Sequence, residues 1–476
     1  MLFNHSPAAV SPTFDEPNLV SAAGLVPAMV LAQKAGLAQL AQQKLTVANT
    51  GADKGANAGA KISSLVAGMV AGADSIDDTD LLRHGGMKHL FNQVYAPSTL
   101  GSHLRAYTFG HVRQLDAVAS RFLTGLGFQA PLLPVTVGSG VSGMVFVDID
   151  DTVIEVHSAA KQGAGFGYQG TRGLNALLAT ATTTESSPVV VAQRLRKGAV
   201  SSARGANRLI SEALATVNKV PGQQGPVVVR ADSAYYNTKV AKAVLSNGAE
   251  LSVTVRMVKT VKDKIREIPE EAWTGIKYPQ AIYDEGSGTW ISEAEVAEVD
   301  FTAFTSKKKD DQVTGRLIIR RVPEKNSTKL AAAGQDPLFE TYRHHGFFTT
   351  ISTEDLDTVA AEKMHRGHAI IEQINAELKA GPLAHMPSGV FNANAAWLTI
   401  AAMAHNLIRA TATTIGGKLA RARAQTIRTK ILAIPARIAH RARRLILHLP
   451  VDWKWEEAFK RLWRAALSPP DLPAST

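Results

Sequence analysis

The sequence predicts an α/β protein centred on a mixed sheet, and three observations carry that expectation. Val145-Phe-Val-Asp-Ile-Asp-Asp-Thr-Val-Ile-Glu-Val156 reads as a strand in which carboxylates interrupt β-branched and apolar residues. Leu174–Thr182 and Pro188–Arg194 follow as two more strands on short turns. Then come a helix (Ser201–Val217), a strand (Gly225–Asp232), a helix (Thr238–Ser246) and a strand (Glu250–Arg256). On either side of this block the apolar spacing is helical. The order β-β-β-α-β-α-β, with an acid on the first strand and another at the tip of the fourth, is that of an RNase H-like fold. The expected architecture is therefore α/β: an RNase H-like catalytic core with a β-rich insertion, an all-α N-terminal domain and a basic C-terminal tail.

Taken in order, residues 1–20 hold Pro7, Pro12 and Pro17 and read as an extended arm. From Ser21, an N-cap type, helical spacing runs to about Lys44. A Gly/Ala-rich stretch, Thr50–Ala73, comes next, and Asp74-Ser-Ile-Asp-Asp-Thr79 has the side chains of another helix start. Tyr95–Arg105 has the Pro/Ser start and polar surface of a helix that either packs at the surface or contacts DNA. Residues 1–135 form the helical domain, closed by Pro131 and Pro134. The first part of the core is 136–256. Gly163–Gly170 is glycine-rich like a phosphate loop, but no Gly-Lys-Ser/Thr and no helix follow, so it reads as a hairpin connection. Residues 257–350 are mixed in charge, with Trp273, Trp290, strand-like runs (Gln280–Tyr283, Arg316–Val322) and the run Lys307-Lys308-Lys309. They read as the β-rich insertion. The second part of the core, 351–415, carries helices at Glu354–Leu378 and Asn392–Thr411, the latter with a core-facing side of Trp397, Ile400, Met403 and Leu407. Residues 416–476 are the basic tail.

Composition narrows the classes of function. Of 476 residues 45% are hydrophobic, enough for several cores, and lysine plus arginine exceed the acids by 52 to 41, a net +11. With no cysteine, disulfides, thiolate zinc and cysteine nucleophiles are excluded, and a reducing compartment is expected. The most apolar windows, 22–31 and 62–71, are too short to span a bilayer, and no signal peptide is evident, so a cytoplasmic protein is expected. Between Leu378 and Val451 there is no Asp or Glu. The cations there are Lys379, Arg409, Lys418, Arg421, Arg423, Arg428, Lys430, Arg437, Arg441, Arg443 and Arg444. A stretch of one sign points to phosphate contacts, since a solvated helix face interleaves both signs.

The acids read as a metal site. Period two puts Asp148 and Asp150 on one face of their strand and Asp151 on the other. Asp232 ends the fourth strand, and Glu372 lies seven residues before Lys379 on one helix face. Acid-only coordination favours Mg²⁺ or Mn²⁺, and two such ions about 3.5–4 Å apart suit phosphodiester cleavage. Alternate strand residues lie about 6.6–6.8 Å apart, too far to serve one ion equally. Either Asp150 or Asp148 is therefore expected as the ligand, and Asp151, which faces away, would be the least sensitive of the three. Asp148-x-Asp150-x-Thr152 after a strand also opens haloacid dehalogenase-like phosphatases, the rival reading, but such enzymes need a doubly wound sheet and further acids, and do not explain the basic stretch.

Five segments bear a resemblance: Phe14–Val26, Gly110-His-Val-Arg-Gln-Leu-Asp116, Val147–Thr152, Arg230-Ala-Asp-Ser233 and the Glu372 region. Through them the chain resembles the DDE transposases of bacterial insertion sequences, specifically the 1380-type family. The resemblance favours Asp150, with Thr152 two residues on, as the ligand, leaving Asp148 deeper as a supporting or alternative ligand, held neutral or paired by a cation. It implies catalysis by Asp150, Asp232 and Glu372 and cut-and-paste transposition on terminal inverted repeats. It further implies partners in transposon-end and target DNA, and a homodimer on DNA at the bacterial nucleoid. In the family's Tyr-x-x-Arg-x-x-x-Glu-x-x-x-x-x-x-Lys signature, Glu372 and Lys379 match while His365 and His368 stand at the Tyr and Arg positions, as candidate phosphate donors.

Overall fold

The computed structural model describes residues 3–48, 55–136, 138, 140–167, 170–222, 225–284, 289–323 and 342–468. The start of the Gly/Ala-rich stretch (49–54), part of the 163–170 connection, two stretches of the insertion (285–288 and 324–341) and the end of the tail lie outside them.

A ten-stranded sheet organises the chain. Its strands are β2 (Val145–Glu155), β3 (Gly165–Phe166), β4 (Arg172–Thr182), β5 (Val189–Lys197), β6 (Val227–Ala231), β7 (Glu250–Val255), β8 (Thr274–Asp284), β9 (Thr289–Ala303), β10 (Val313–Pro323) and β11 (Tyr342–Thr349). The sheet runs β3-β4-β2-β6-β7-β11-β10-β9-β8, and β5 also pairs β4. Strands β5, β4 and β2 are antiparallel neighbours: a short turn (183–188) joins β4 to β5, and the longer 156–171 connection, which carries β3, brings the chain back from β2 to β4. β2, β6 and β7 are parallel, because helices α6 (Ala206–Val217) and α7 (Thr238–Leu245) supply the crossovers.

Two findings depart from the expected division into domains. The insertion strands continue the central sheet: β11 pairs β7 antiparallel, and β10, β9 and β8 extend it outward. The N-terminal helices do not keep a core of their own. These are α1 (Leu25–Lys34), α2 (Leu37–Lys44), α3 (Ala58–Ala71), α4 (Pro97–Arg105) and α5 (Phe109–Gly127). One buried cluster runs from Val20 through the sheet to Ala466. The single helix expected over 21–44 is two, because Gly36 turns the chain at φ +80°.

Within the expected insertion the chain first forms a helix, α8 (Lys259–Arg266), before its strands; α9 (Thr358–Arg366) and α10 (Ile370–Lys379), joined by a 3₁₀ turn, follow the insertion. Then α11 (Phe391–Ile415), buried over most of its length with Trp397 at 0% exposure, threads between the N-terminal helices and β5. The two faces of β2 differ. Val145, Val147 and Ile149 enter the large core, whereas Phe146 joins a smaller cluster with Ala361 and Met364 of α9. Asp148 and Asp150 share the face of Phe146. Among the described residues no helix is long and apolar enough to cross a membrane.

The basic tail is folded. β12 (Ala436–Arg441) pairs β1 (Leu19–Val20) and β13 (Arg444–His448), and α12 (Glu456–Leu467) packs on α1 and α11. Ile431, Leu432, Ile438 and Leu462 are all at 2% exposure or less. At about 1.5–3 kcal/mol for each buried aliphatic side chain, these four approach a domain's whole net stability of about 5–15 kcal/mol. Truncation after Gly417 is therefore expected to unfold the protein rather than merely remove DNA contacts; a melting point within a few degrees of the full chain would contradict this.

Candidate active site

β2 outruns its parallel neighbour. β6 pairs it only as far as Ile149 opposite Ala231, while β2 continues along β4 to Glu155. From Asp150 onward one edge of β2 is free, and a cleft of about 1020 Å³ opens there. This is the carboxyl end of the parallel strands, where open α/β sheets hold ligands. The cleft is bounded by Asp150–Glu155, by Asp232 just past β6, by Ser201–Ala203 after β5, by Arg256 after β7 and by Lys379 at the end of α10.

The three aspartates of β2 meet three different fates. Asp148 is at 0% exposure and held by Arg230, whose Nε and Nη2 donate to its two oxygens at 2.8 and 2.7 Å, while the His368 ring bonds it at 2.9 Å. Burial alone would raise its pKa, but the charge of Arg230 and the His368 bond outweigh that and hold it below the usual carboxylate range. Arg230 also donates to the Met364 carbonyl and lies over the Phe146 ring. Gly367 makes room for it, since a Cβ there would lie 2.6 Å from Nη1. The phosphatase reading needs Asp148 as an exposed nucleophile on a parallel, doubly wound sheet. The buried ion pair and the antiparallel β4 beside β2 remove both requirements.

Asp150 has no such partner. Asn375 of α10 donates to it at 3.0 Å, and among the described residues it makes no ion pair. Burial, with the Asp151 and Asp232 charges nearby, pushes its carboxyl up to about 6. Of Asp148, Asp150 and Asp151 it is the one without an ion pair among the described residues.

Asp151 lies on the opposite face yet is far from idle. It accepts from Asn175 and from the Tyr235 hydroxyl at 2.8 Å, and pairs with Arg196 at 3.1 Å. Arg196 in turn donates to the carbonyls of Ser202 and Arg204, each at 2.8 Å, in the loop that walls the cleft. This corrects the expectation of a mild Asp151 substitution. Asp151→Asn is expected to cost about 1.5–3 kcal/mol, the worth of hydrogen bonds to a buried charge, and to slow cleavage through the loop. Urea unfolding checks it, and an unshifted midpoint sinks it.

Asp232, exposed beside Asp150, accepts from the Ala234 amide at 2.9 Å, which fixes the turn after β6. Glu372 is exposed on α10, on the same helical arc as Asn375 and Lys379, but it does not line the cleft. Among the described residues no three acids or histidines are gathered closely enough for a ready-made metal cluster. The donors nevertheless suit a hard cation: they are carboxylate oxygens, and among the described residues Asp150 makes no ion pair. Partial burial lowers the Lys379 ammonium, against the pull of Asp150.

Both histidines turn away from the expected phosphate role. His365 stacks on Phe347 with ring centres 4.1 Å apart and bonds the hydroxyls of Ser252 and Thr254. Burial, aided by the His368 and Arg230 charges, pushes it down to about 3, so it is a neutral packing group. His368 is committed to Asp148. Arg428 of the basic stretch, at 8% exposure, donates to the Met69 carbonyl, and Arg409 is at 3%; both are enclosed and removed from the phosphate contacts. Arg421 donates to the Thr184 carbonyl, Arg437 pairs with Glu16 and Lys430 lies over Trp455, whereas Arg423, Arg441, Arg443 and Arg444 are exposed. Sequence reasoning assigned no role to Asn375, Arg196 and Arg256, nor to Arg230, although Arg230 is the one charge in the apolar run Val227–Ala231 and this signal points to a buried partner. Asp116 of the Gly110–Asp116 segment bonds Gln193 and Thr399 and ties α5 to β5 and α11.

No curated protein matches the chain. The family model of the Transposase DDE domain group 1 matches residues 5–468, nearly the whole length, and members of this family generally use divalent metal ions. With two acids at the open end of a parallel strand pair and that match across the chain, the protein belongs to the group 1 DDE transposases and is a metal-dependent enzyme of that class.

Proposed function

We propose that this transposase is of the insertion-sequence type that resembles the 1380 family, binding the terminal inverted repeats of its element and carrying out cleavage and strand transfer by cut and paste. The order β5-β4-β2-β6-β7, antiparallel across the first three and parallel across the last three, supports an RNase H-like core. The observation that carries the site is the uncompensated Asp150 at the free edge of β2, with Asp232 at the tip of the neighbouring strand.

Asp150, Asp232 and Glu372 would hold two Mg²⁺ or Mn²⁺ ions, which when bound activate a water or hydroxyl and neutralise the leaving oxygen. The remaining groups act directly. The Asn375 amide fixes the orientation of Asp150, and Lys379 and Arg256 set positive charge over the cleft for the scissile phosphate. The exposed cations Arg421, Arg423, Arg437, Arg441, Arg443 and Arg444, with the half-buried Lys430, flank end and target DNA, and the enzyme works as a homodimer at the nucleoid.

Single-turnover cleavage of a duplex carrying the element's end, with Mg²⁺ or Mn²⁺, tests the acid set. Asp232→Ala and Glu372→Ala are expected to abolish cleavage while end binding persists; a variant that still cuts leaves the set.

A further inference from the structure

The basic stretch ends in a ribbon whose two faces are unlike. β12 and β13 pair Arg437 with His448, Ile438 with Leu447, Ala439 with Ile446, His440 with Leu445 and Arg441 with Arg444. Cross-strand partners share a face and successive pairs alternate. One face thus carries Ile438, at 2% exposure, and Leu447, both seated on the core. The other carries Arg437, His448, Arg441 and Arg444 around a small apolar centre of Ala439 and Ile446. β1 covers only the base of the ribbon: it pairs Ala436 and Arg437, and the Asn18 carbonyl accepts from the Ile438 amide. Beyond that point the ribbon projects as two strands.

The tip is specified for charge. Its two turn residues, Ala442 and Arg443, have φ of +46° and +65°, the left-handed conformation that a two-residue hairpin turn demands. Asn-Gly would meet that demand with less strain, yet an arginine stands there, flanked by Arg441 and Arg444. No acid lies within the hairpin.

We propose that this outward face of the β12–β13 ribbon enters the major groove of duplex DNA at the element's ends and contributes to reading their sequence; the inference rests on the transposase function proposed above. The major groove admits a two-stranded ribbon. Arg441 and Arg444 fit guanine edges or the bordering phosphates, and Ala439 with Ile446 fits thymine methyl groups. Arg443 at the tip reaches the backbone.

The test uses the full-length protein and two 40-base-pair probes, one copied from the element's boundary and one a shuffle of equal composition. Arg441→Gln with Arg444→Gln is expected to reduce the slope of log affinity against log salt by about 1.8, or 0.9 for each contact. It should also shrink the preference for the boundary probe at least tenfold. Lys307→Gln with Lys308→Gln, an equal loss of charge elsewhere, should leave that preference intact. Ile446→Ala should reduce the preference with the salt slope unchanged, which a pure phosphate contact would not do. Melting curves establish that each variant is folded. An intact preference in a folded Arg441/Arg444 variant overturns the proposal. So does a loss of binding to vesicles of anionic phospholipid with DNA binding unchanged. A wild type that cuts the boundary probe with Mg²⁺ while its ribbon variants keep the preference refutes the ribbon alone; a wild type that neither cuts nor prefers that probe refutes the underlying function as well.

Discussion

Asp150→Asn is expected to lose strand cleavage by at least about 1000-fold, the scale on which transition-state charge stabilisation acts, and to gain stability without metal. The gain follows from linkage. The folded pKa of Asp150 is raised to about 6 from the ordinary value of 3.8. Between about pH 4 and pH 6 the unfolded chain therefore releases a proton that the folded chain keeps, and wild-type stability falls as pH rises through that window. Asparagine has no such cost. In metal-free buffer the variant should match the wild type near pH 4 and exceed it by about 1–3 kcal/mol above pH 6, at 1.36 kcal/mol per pKa unit. Mg²⁺ or Mn²⁺ should raise the wild-type melting temperature at pH 7 and leave the variant's unchanged. Calorimetry across pH, with and without the ion, checks both statements; a variant less stable than wild type at pH 7 would show that the charge of Asp150 is compensated.

Arg230→Met is expected to produce the largest loss of stability of any single change near the site. Asp148 would keep its charge at 0% exposure with His368 as its remaining partner. Breaking a buried pair from one side costs about 3–5 kcal/mol. Replacing both partners, Asp148→Leu with Arg230→Met, should recover most of that loss, because no isolated charge remains. The sign with pH is opposite to that of Asp150. The folded pKa of Asp148 is lowered, so its contribution is present above the ordinary value of 3.8 and lost as pH falls through the folded value. Urea midpoints of the two single variants and the double variant decide the matter, and a double variant no better than Arg230→Met would assign the pair to more than charge compensation.

Much of the chain was legible from its residues. Carboxylates alternating with Val147 and Ile149 located β2, and the short turn at 183–188 made β4 and β5 antiparallel neighbours. The helical spacing before β6 and β7 made those strands parallel. Pattern also put Asp148 and Asp150 on one face and Asp151 on the other, because side-chain period follows from backbone geometry alone. What pattern does not encode is which charge meets which. That Asp148 is locked by Arg230 from the adjacent strand, that Asp151 holds a loop through Arg196, and that Asp150 alone remains uncompensated were decided by β6 ending at Ala231 while β2 ran on. His365 and His368 looked alike in sequence, yet one stacks on Phe347 of β11 and the other bonds Asp148, a difference set by elements far apart in the chain. The basic stretch was misread in the same way. Charge is visible residue by residue, but whether Arg428 faces solvent or the Met69 carbonyl depends on α3, more than three hundred residues earlier. The sequence by itself determined the strands and the identity of the acids; only the packing of distant elements decided which of those acids keeps a charge without a partner.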